Sequence, residues 1–386
     1  MPPEIGSEFH WDASLVSPGA PFLPGRHELF ATGSGALRAL LRMLRPHGRL
    51  HLPSYFCMGV AELLAAEVPI AFYRHLPDDG GPRLPAVRAA AGDVVLAQNL
   101  FGRDDPAVWR AWMRDHPGVV VVEDHSHDPL SAWARTSEAP YAMASLRKTL
   151  PVPDGGLLWS PQSRELPAPA GDGSAGAQLK LAAMVLKSAW LAGRPVAKDA
   201  FRALQQRGEQ TLLGSSAPAS AFTAAVLPLL DAPALRDRAV ANAAALAAAL
   251  PPVTAAWRVL GAGSFRLQLV CPTEAGRDAL LRHLAAHGIY APVHWRQDRG
   301  GVWSGDGKAA GLAARMLTVP ADHRCTPADV HRLTAVLRAF PAALVRPAVL
   351  ASPAVLSPSA ALASSAAPSS EPAPSSEPAP SSEPVS

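Results

Sequence analysis

Two apolar segments and the helix between them constrain the possible folds of this chain most strongly. Residues 93–99 (DVVLAQN) and 118–124 (GVVVVED) are apolar runs without alternation, each bounded by turn residues. Strands that are buried on both faces have this pattern. Residues 109–115 (WRAWMRD) lie between them and predict an apolar helix. A strand, a helix and another strand in this order predict two parallel strands joined by a helical crossover.

The same alternation extends through the first half of the chain. Apolar spacing predicts helices over 35–44 and 59–67, and strands over 49–53 and 68–73. We therefore predict an α/β fold whose large domain has three layers, with a mostly parallel sheet covered by helices.

A second alternation begins near residue 232 and predicts a smaller C-terminal α/β domain. Its predicted elements are a helix over 232–250, a strand over 265–271, a helix from Thr273 to Gly288, a strand over 289–295 and a helix from Thr326 to about Phe340. The predicted division of the chain is 1–231 for an N-terminal segment and the large domain, 232–345 for the long linking helix and the small domain, and 346–386 for a tail.

The predicted tail is rich in Ala, Ser and Pro, and the hexapeptide APSSEP occurs three times in succession between Ala367 and Pro384. A segment of this composition buries too little apolar surface to offset the entropy that it loses on ordering. We therefore expect a disordered tail, and a docking or tethering segment is the alternative interpretation.

Composition places the chain among globular proteins. Of its 386 residues, 48% are hydrophobic and 17% are charged, which suits a large core. The net charge is +3 and its basic residues are scattered, so we expect neither a nucleic-acid groove nor a membrane-binding surface. The start, MPPEIGSEFHWD, lacks the basic and apolar regions of a signal peptide, and the apolar stretches are too short to span a bilayer.

The three cysteines, Cys57, Cys271 and Cys325, are widely spaced and odd in number. They match no metal-binding pattern and no disulfide framework, so we predict no metal site. Cysteines of this kind are typical of proteins in a reducing compartment, and we therefore predict a cytoplasmic location.

Six consecutive polar residues, 123–128 (EDHSHD), follow the second of the two buried strands. Ligands of open α/β sheets bind beyond the carboxyl ends of the strands. An acid at this point, such as Asp124, can face a cationic ring nitrogen, and burial would strengthen that pair. The alternative is a solvated loop, since strands commonly end in polar turns.

A Gly-rich turn, 32–35 (TGSG), precedes the first predicted helix. Free N–H groups at a helix N-terminus suit a phosphate, although Gly and Ser also serve simply as turn and cap residues. The turn does not match the dinucleotide fingerprint and no P-loop lysine follows it, so a phosphate here would belong to a smaller cofactor.

The third feature is Lys148, within the segment 145–156 (SLRKTLPVPDGG). An amine nucleophile must be positioned and partly desolvated. We expect Arg147 to lower the pKa of Lys148, and the prolines and the double glycine behind it to fix its loop. A lysine in a loop is otherwise an ordinary surface charge. A phosphate-binding turn, a strand-end acid and a loop lysine are together the parts of a pyridoxal phosphate site.

Seven segments resemble the fold-type-I pyridoxal phosphate enzymes, and within them the DegT/StrS-type sugar aminotransferases. These segments are TGSGAL (32–37), LPSYFC (52–57), QNLFG (98–102), VVEDHSH (121–127), RKTLPVPDGG (147–156), AAHGIYAPVHW (285–295) and MLTVPADHRCTPADV (316–330). The resemblance spans most of residues 30–340, but motif identity is confined to these short segments.

The resemblance implies roles for five residues. Lys148 would form the Schiff base with the cofactor, and Asp124 would pair with its pyridine nitrogen. His127 stands at the position of a glutamine near the phenolic oxygen, and Ser34 and Gly35 would hold the phosphate. It also implies a homodimer.

The sequence departs from the family where an aromatic residue stacks on the cofactor ring, since Cys57 occupies that position. Tyr55 or Phe56 would then have to supply the stacking, or it would be absent.

The sequence also departs from the family near the phosphate. Met143 replaces a serine, and Ser145 is near enough to contact the phosphate instead. Ser216, in SAPA (216–219), stands at the position of an asparagine that reaches the phosphate of the partner subunit in the family.

These observations predict an aminotransferase that uses a small-molecule amino donor and a carbonyl acceptor. Arg147 and the cluster His294, Trp295 and Arg296 are candidate contacts for an acidic substrate, or else parts of a polar domain interface. The alternatives are another pyridoxal phosphate reaction (dehydratase, lyase, decarboxylase or aldolase) and a non-catalytic descendant of the fold.

Overall fold

The computed structural model describes residues 4–17, 19–297 and 302–341, which all belong to one compact unit. The predicted tail over 346–386 lies outside the described residues. The boundary predicted at residue 231 is not tested by this compact unit and stays a prediction. Among the described residues, no helix is both long enough and apolar enough to cross a membrane.

Fourteen strands are present in the described part of the chain. They are β1 (Ile5–Gly6), β2 (His27–Phe30), β3 (Leu50–Pro53), β4 (Ile70–Tyr73), β5 (His75–Leu76), β6 (Gly81–Pro82), β7 (Val94–Gln98), β8 (Val120–Asp124), β9 (Tyr141–Ser145), β10 (Gly156–Trp159), β11 (Arg258–Ala262), β12 (Arg266–Val270), β13 (Ile289–Tyr290) and β14 (Met316–Pro320).

Eleven α-helices accompany them over the same described ranges. They are α1 (Gly33–Leu44), α2 (Met58–Ala65), α3 (Pro106–Asp115), α4 (Ala132–Arg135), α5 (Ser174–Leu191), α6 (Lys198–Leu212), α7 (Ala221–Val226), α8 (Ala232–Ala249), α9 (Glu274–Ala286), α10 (Gly307–Arg315) and α11 (Pro327–Arg338).

The central sheet has seven strands in the order β2-β10-β9-β8-β7-β3-β4. The pairs from β9 to β4 are all parallel, and β10 runs antiparallel to both of its neighbours. This arrangement confirms the predicted α/β fold with a mostly parallel sheet. Because β8 and β9 end at the same edge, polar residues after them are brought together.

The sheet is buried on both faces, as the apolar runs predicted. On β7, Val94 and Leu96 pack into one core with α1 and α2, whereas Val95 and Ala97 pack on the opposite face with Trp109 of α3. Successive side chains of a strand point to opposite faces, so an unbroken apolar run serves two cores. Helices therefore cover both faces, and the predicted three layers are present.

The C-terminal part contains a three-stranded antiparallel sheet, β11-β12-β14, packed against α8, α9 and α11. Thr326 begins α11 with the capping box in which its side chain and that of Asp329 exchange hydrogen bonds with the backbone. The strand predicted over 289–295 is wrong beyond Tyr290, because β13 ends there. Pro292 lacks the N–H that a continued strand would donate.

The N-terminal residues add a strand to the C-terminal part. β1 pairs in parallel with β13, and Ile5 packs in the core of the three-stranded sheet. Lys187 of α5 fixes the segment further, since its amine contacts Glu4 at 3.0 Å and donates to the backbone oxygen of Glu8 at 2.6 Å. These residues thus form a wall beside the three-stranded sheet.

Candidate functional site

Lys148 ends a single 3-10 turn, Leu146–Lys148, that directly follows β9. The double glycine places this turn against the start of α1. Gly155 adopts a φ of +126°, which favours glycine, and a Cβ on Gly156 would lie only 2.2 Å from the backbone oxygen of Thr32. The two glycines therefore allow the lysine segment to approach the Gly-rich turn.

Asp154 anchors the same segment from behind. It is fully buried, and it accepts hydrogen bonds from the backbone N–H of Ser220 and from the hydroxyl groups of Ser220 and Thr223 at the start of α7. A buried carboxylate with three donors is held in one orientation. The hydrogen bonds of Asp154 thus hold the loop behind Lys148.

The amine of Lys148 has an unusual environment. The residue is partly buried, and among the described residues no carboxylate lies within ion-pair distance of its amine. Burial lowers the pKa of Lys148, while Asp124 and Cys57 oppose that shift and Arg147 and Arg266 add to it. Arg147 was expected to lower this pKa, and it does so less than burial does.

Asp124 ends β8 and is 7% exposed. Its Oδ1 accepts the N–H of Ser126 at 2.9 Å, and the Ser126 hydroxyl accepts the N–H of Ser145 at 2.9 Å. The ends of β8 and β9 are therefore joined, and the acid and the lysine face the same region.

His127 is buried, and burial holds its pKa well below the usual value, so the ring is neutral. Its Nδ1 accepts the N–H of Phe101 at 2.9 Å, which leaves Nε2 as the nitrogen that carries the hydrogen. Phe101 adopts a φ of +56°, which is uncommon for a residue other than glycine. The imidazole is thus an oriented hydrogen-bond donor.

Three aromatic rings form a stack beside Lys148. The ring of His127 lies 5.0 Å from that of Phe101 and 5.4 Å from that of Trp295, with interplanar angles of 10° and 14°. The amine of Lys148 lies 5.8 Å from the centroid of Trp295. Trp295 therefore presents an aromatic face to the lysine.

A cavity of about 90 Å³, the first cavity, brings most of the predicted site residues together. The candidates that line it are Ser34, Phe56, Cys57, Asp124, Ser145, Arg147, Lys148 and Trp295. His127 does not line it, and its ring stacks on that of Trp295. Tyr55 does not line it either, because its hydroxyl donates to the backbone oxygen of His294 inside an apolar cluster.

The start of α1 forms one wall of the first cavity. Thr32 caps the helix by accepting the N–H of Gly35 at 2.9 Å. The Gly35 amide is therefore already bonded, although the resemblance implied that it holds phosphate. Among the described residues, no hydrogen bond engages the amides of Gly33 and Ser34.

Gly35 has a packing role instead. A Cβ there would lie 1.8 Å from the backbone oxygen of Ser215, and the Ser216 hydroxyl donates to the Gly35 oxygen at 3.0 Å. Within this chain, the Ser216 hydroxyl thus bonds the 215–216 segment to the Gly-rich turn.

A second cavity, of about 370 Å³, is also lined by Lys148. It is bounded by the N-terminal residues 6–9, by Arg147 and Lys148, and by Arg266 of β12. Sequence reasoning missed Arg266, because an arginine in a strand such as 265–271 resembles an ordinary solvent-facing residue.

The residues predicted to contact an acidic substrate have different surroundings in the structure. The guanidinium of Arg147 binds the two carboxylate oxygens of Glu209 at 2.7 and 2.6 Å. His294 is partly buried, and its Nδ1 lies 2.9 Å from the Thr318 hydroxyl. Arg296 is exposed and lines neither cavity.

Comparison of sequences alone finds no matching protein-family profile and no significantly similar curated protein. Comparison with solved structures finds sugar aminotransferases. A DegT DnrJ EryC1 StrS aminotransferase from Brucella abortus aligns with a TM-score of 0.55 at 17% identity, over 82% of this chain and 86% of that one.

Two further structures align over similar lengths. DesI, solved in the presence of its TDP-sugar product, gives a TM-score of 0.55 at 19% identity, over 84% of this chain and 81% of that one. A putative sugar aminotransferase from Streptococcus pneumoniae in its PMP form gives 0.53 at 13% identity, over 83% and 87%. The chain therefore has the fold that the resemblance implied, which is that of the DegT/StrS-type aminotransferases.

Proposed function

We propose that this protein is a pyridoxal phosphate-dependent aminotransferase, with the cofactor held at Lys148. The observation that carries the proposal is the amine of Lys148, which has no carboxylate partner among the described residues and shares one cavity with Asp124 and the start of α1. Buried lysines usually need a partner for their charge. A lysine whose pKa is lowered by burial in a cavity is suited to act as a nucleophile or base.

The residues of the first cavity fit this cofactor. The unbonded amides of Gly33 and Ser34 and the Ser145 hydroxyl suit a phosphate at the positive end of α1. Asp124 suits a protonated ring nitrogen. The cofactor, when bound, would supply an electron sink that stabilises negative charge on the adjacent substrate carbon.

The side chains of this chain would then perform distinct tasks. Asp124 would keep a proton on the ring nitrogen of the bound cofactor, and the Nε2–H of His127 would be the donor for its phenolic oxygen. Trp295 would supply the aromatic face for the cofactor ring, which the side chain of Cys57 cannot supply. When its amine is free, the lowered pKa of Lys148 would let that amine accept a proton from the reacting carbon of the substrate.

The remaining assignments rest on the same resemblance. The substrates would be a small-molecule amino donor and a carbonyl acceptor, and the protein would be a homodimer. The three free cysteines support a location in the reducing cytoplasm.

Purified protein mixed with pyridoxal phosphate tests the proposal. We expect a visible absorption band that borohydride removes, and we expect Lys148→Ala to show no such band. Lys308→Ala, at an exposed lysine of α10, is the matched control and should keep the band. A wild-type protein that stays colourless with the cofactor, or a Lys148→Ala variant that keeps the band, would contradict the proposal.

The type of reaction needs a second measurement. Adding amino donors one at a time to the cofactor-loaded protein should convert the band to that of pyridoxamine phosphate with at least one donor. Failure with every donor, together with an intact band, would favour the lyase, dehydratase, decarboxylase or aldolase alternatives.

A further inference from the structure

The three cysteines of this chain differ in their surroundings. Cys271 and Cys325 are buried in the core of the three-stranded sheet, and burial raises the pKa of each thiol to about 12. Cys57 is only partly buried and lines the first cavity. Reactive cysteines lie in partly exposed, electropositive surroundings, whereas buried cysteines are inert. Of the three thiols, Cys57 is therefore the one that a small molecule in the first cavity can reach.

Two features give Cys57 electropositive surroundings. Lys148 lines the same cavity, and while burial lowers the pKa of Lys148, Cys57 is one of the two groups that oppose that shift. Cys57 is also the N-cap residue of α2, and its side chain makes no capping hydrogen bond. The N-terminus of a helix carries a partial positive charge. The sulfur of Cys57 therefore lies near two sources of positive potential.

Gln98 gives an independent indication that the first cavity binds a ligand. It pairs in register with Asp124 across β7 and β8, so both side chains project from the same face of the sheet. Gln98 lines the cavity and is only 2% exposed, and its Oε1 has no hydrogen-bond partner among the described residues. A buried acceptor without a partner is costly, and a bound molecule that donates a hydrogen bond would satisfy it.

We propose that hydrogen peroxide binds in the first cavity and oxidises Cys57, with an O–H group of the peroxide donating to Gln98. The sulfur attacks one peroxide oxygen, so an S–O bond forms and the O–O bond breaks. The sulfur loses two electrons to the peroxide, and the other oxygen leaves as water with the thiol proton. A protonated Lys148 amine would stabilise the negative charge that develops on the departing oxygen. The product is a sulfenic acid beside the lysine.

The same cavity is the proposed place of the cofactor, so oxidation and cofactor binding should exclude each other. Bound pyridoxal phosphate would cover Cys57 and protect its thiol, and oxidised Cys57 would hinder uptake of the cofactor at Lys148. Because a sulfenic acid is reversible, dithiothreitol should restore that uptake. This exclusion rests on the proposed function, whereas the oxidation of Cys57 does not.

Dimedone, which reacts with sulfenic acids, tests the oxidation in the full-length protein without added cofactor. After treatment with hydrogen peroxide, peptide mass spectrometry should find dimedone on Cys57 and not on Cys271 or Cys325. Gln98→Leu should slow the labelling of Cys57 by about 2–10-fold, the usual value of one hydrogen bond. Gln206→Leu, at an exposed glutamine of α6, is the matched control and should keep the wild-type rate.

Lys148→Ala is a second variant that should also slow the labelling, and circular dichroism checks that each variant is folded. Three outcomes would overturn the inference. They are no dimedone on Cys57 in the wild type, equally fast labelling of the two buried cysteines, and a wild-type labelling rate in folded Gln98→Leu or, should that variant not fold, in Lys148→Ala. Pyridoxal phosphate added before the peroxide should protect Cys57. Labelling that pyridoxal phosphate does not affect would contradict the proposed function and leave the oxidation site standing.

Discussion

Lys148 differs from the other buried and partly buried lysines among the described residues in what surrounds its amine. Lys180, Lys187 and Lys198 each contact a glutamate at 3.0 Å or less. Burial also lowers the pKa of Lys187, to about 8, yet its amine is held by Glu4 and by backbone. Burial alone therefore does not set Lys148 apart from these lysines; the lack of a carboxylate partner does, and our proposal rests on that difference.

His127 allows a test of a single hydrogen bond. His127→Phe keeps an aromatic ring for the stack but removes the Nε2–H, so we expect the dissociation constant of pyridoxal phosphate to rise about tenfold. His127→Gln restores an amide donor and should recover most of the affinity. Titration of the cofactor's absorption band measures both. Unchanged affinity in His127→Phe would mean that His127 only supports Trp295.

At the scale of elements, the site depends on close contacts among the start of α1, the lysine turn and the 215–216 segment. Because these contacts involve backbone atoms, the glycines are the only residues in the sequence that indicate them. The sequence indicated the Gly-rich turn and the double glycine. It did not indicate that Gly35 is needed for packing rather than for a free amide.

Gly35→Ala tests that packing. Its Cβ would fall 1.8 Å from the Ser215 oxygen, so we expect the free energy of unfolding to drop by about 1–3 kcal/mol, the usual cost of overpacking. Affinity for pyridoxal phosphate should fall with it. Urea denaturation and cofactor titration measure the two effects.

Gly311→Ala is the control for helix content. Gly311 lies in α10 with nothing near its missing Cβ, so alanine there should stabilise the protein by about 0.5–1 kcal/mol. If Gly35→Ala instead stabilised the protein as Gly311→Ala does, the contact with Ser215 would not constrain α1.

The sequence predicted β3, β4, β7 and β8 well, because long apolar runs there alternate with amphipathic helices, and it did not predict the short strands β5 and β6. It gave no indication of β2, β10, α5 or α6. β10 is a four-residue strand, and α5 buries Lys180 and Lys187 on the face that packs. Buried lysines disrupt the apolar periodicity on which helix prediction depends.

At the scale of the whole molecule, burial opposes the charged form of several histidines. Burial lowers the pKa of His10, holds those of His127 and His294 well below the usual value, and lowers that of His323 to about 4. The unfolded chain takes up protons near pH 6.5 and the folded chain does not. The stability is therefore complete above pH 6.5 and declines as the pH falls toward 4.

His323 is suited to test this dependence. We expect the free energy of unfolding, measured by urea denaturation between pH 7.5 and 5, to fall by up to about 1.4 kcal/mol per pH unit for each such histidine. His323→Gln should make the decline shallower, whereas His331→Gln, at an exposed residue of α11, should not. Parallel curves for His323→Gln and wild type would contradict this assignment.

The ion-paired glutamates of the described residues do not account for a decline in that range. The pKa values of Glu4, Glu67 and Glu209 are lowered to about 2 by their cationic partners. Their contribution is present above about pH 4.5 and is lost only below it. The histidines and these glutamates therefore affect the free energy of unfolding in separate pH ranges.

The position of Trp295 has an optical consequence. Its indole lies 5.8 Å from the amine of Lys148, a separation at which excitation energy passes readily to a neighbouring chromophore. Any coloured group joined to that amine would quench the emission of this indole. The difference in fluorescence between wild type and Trp295→Phe would isolate this one emitter among the nine tryptophans of the chain. The protein thus carries its own unlabelled reporter of what occupies the space beside its lysine.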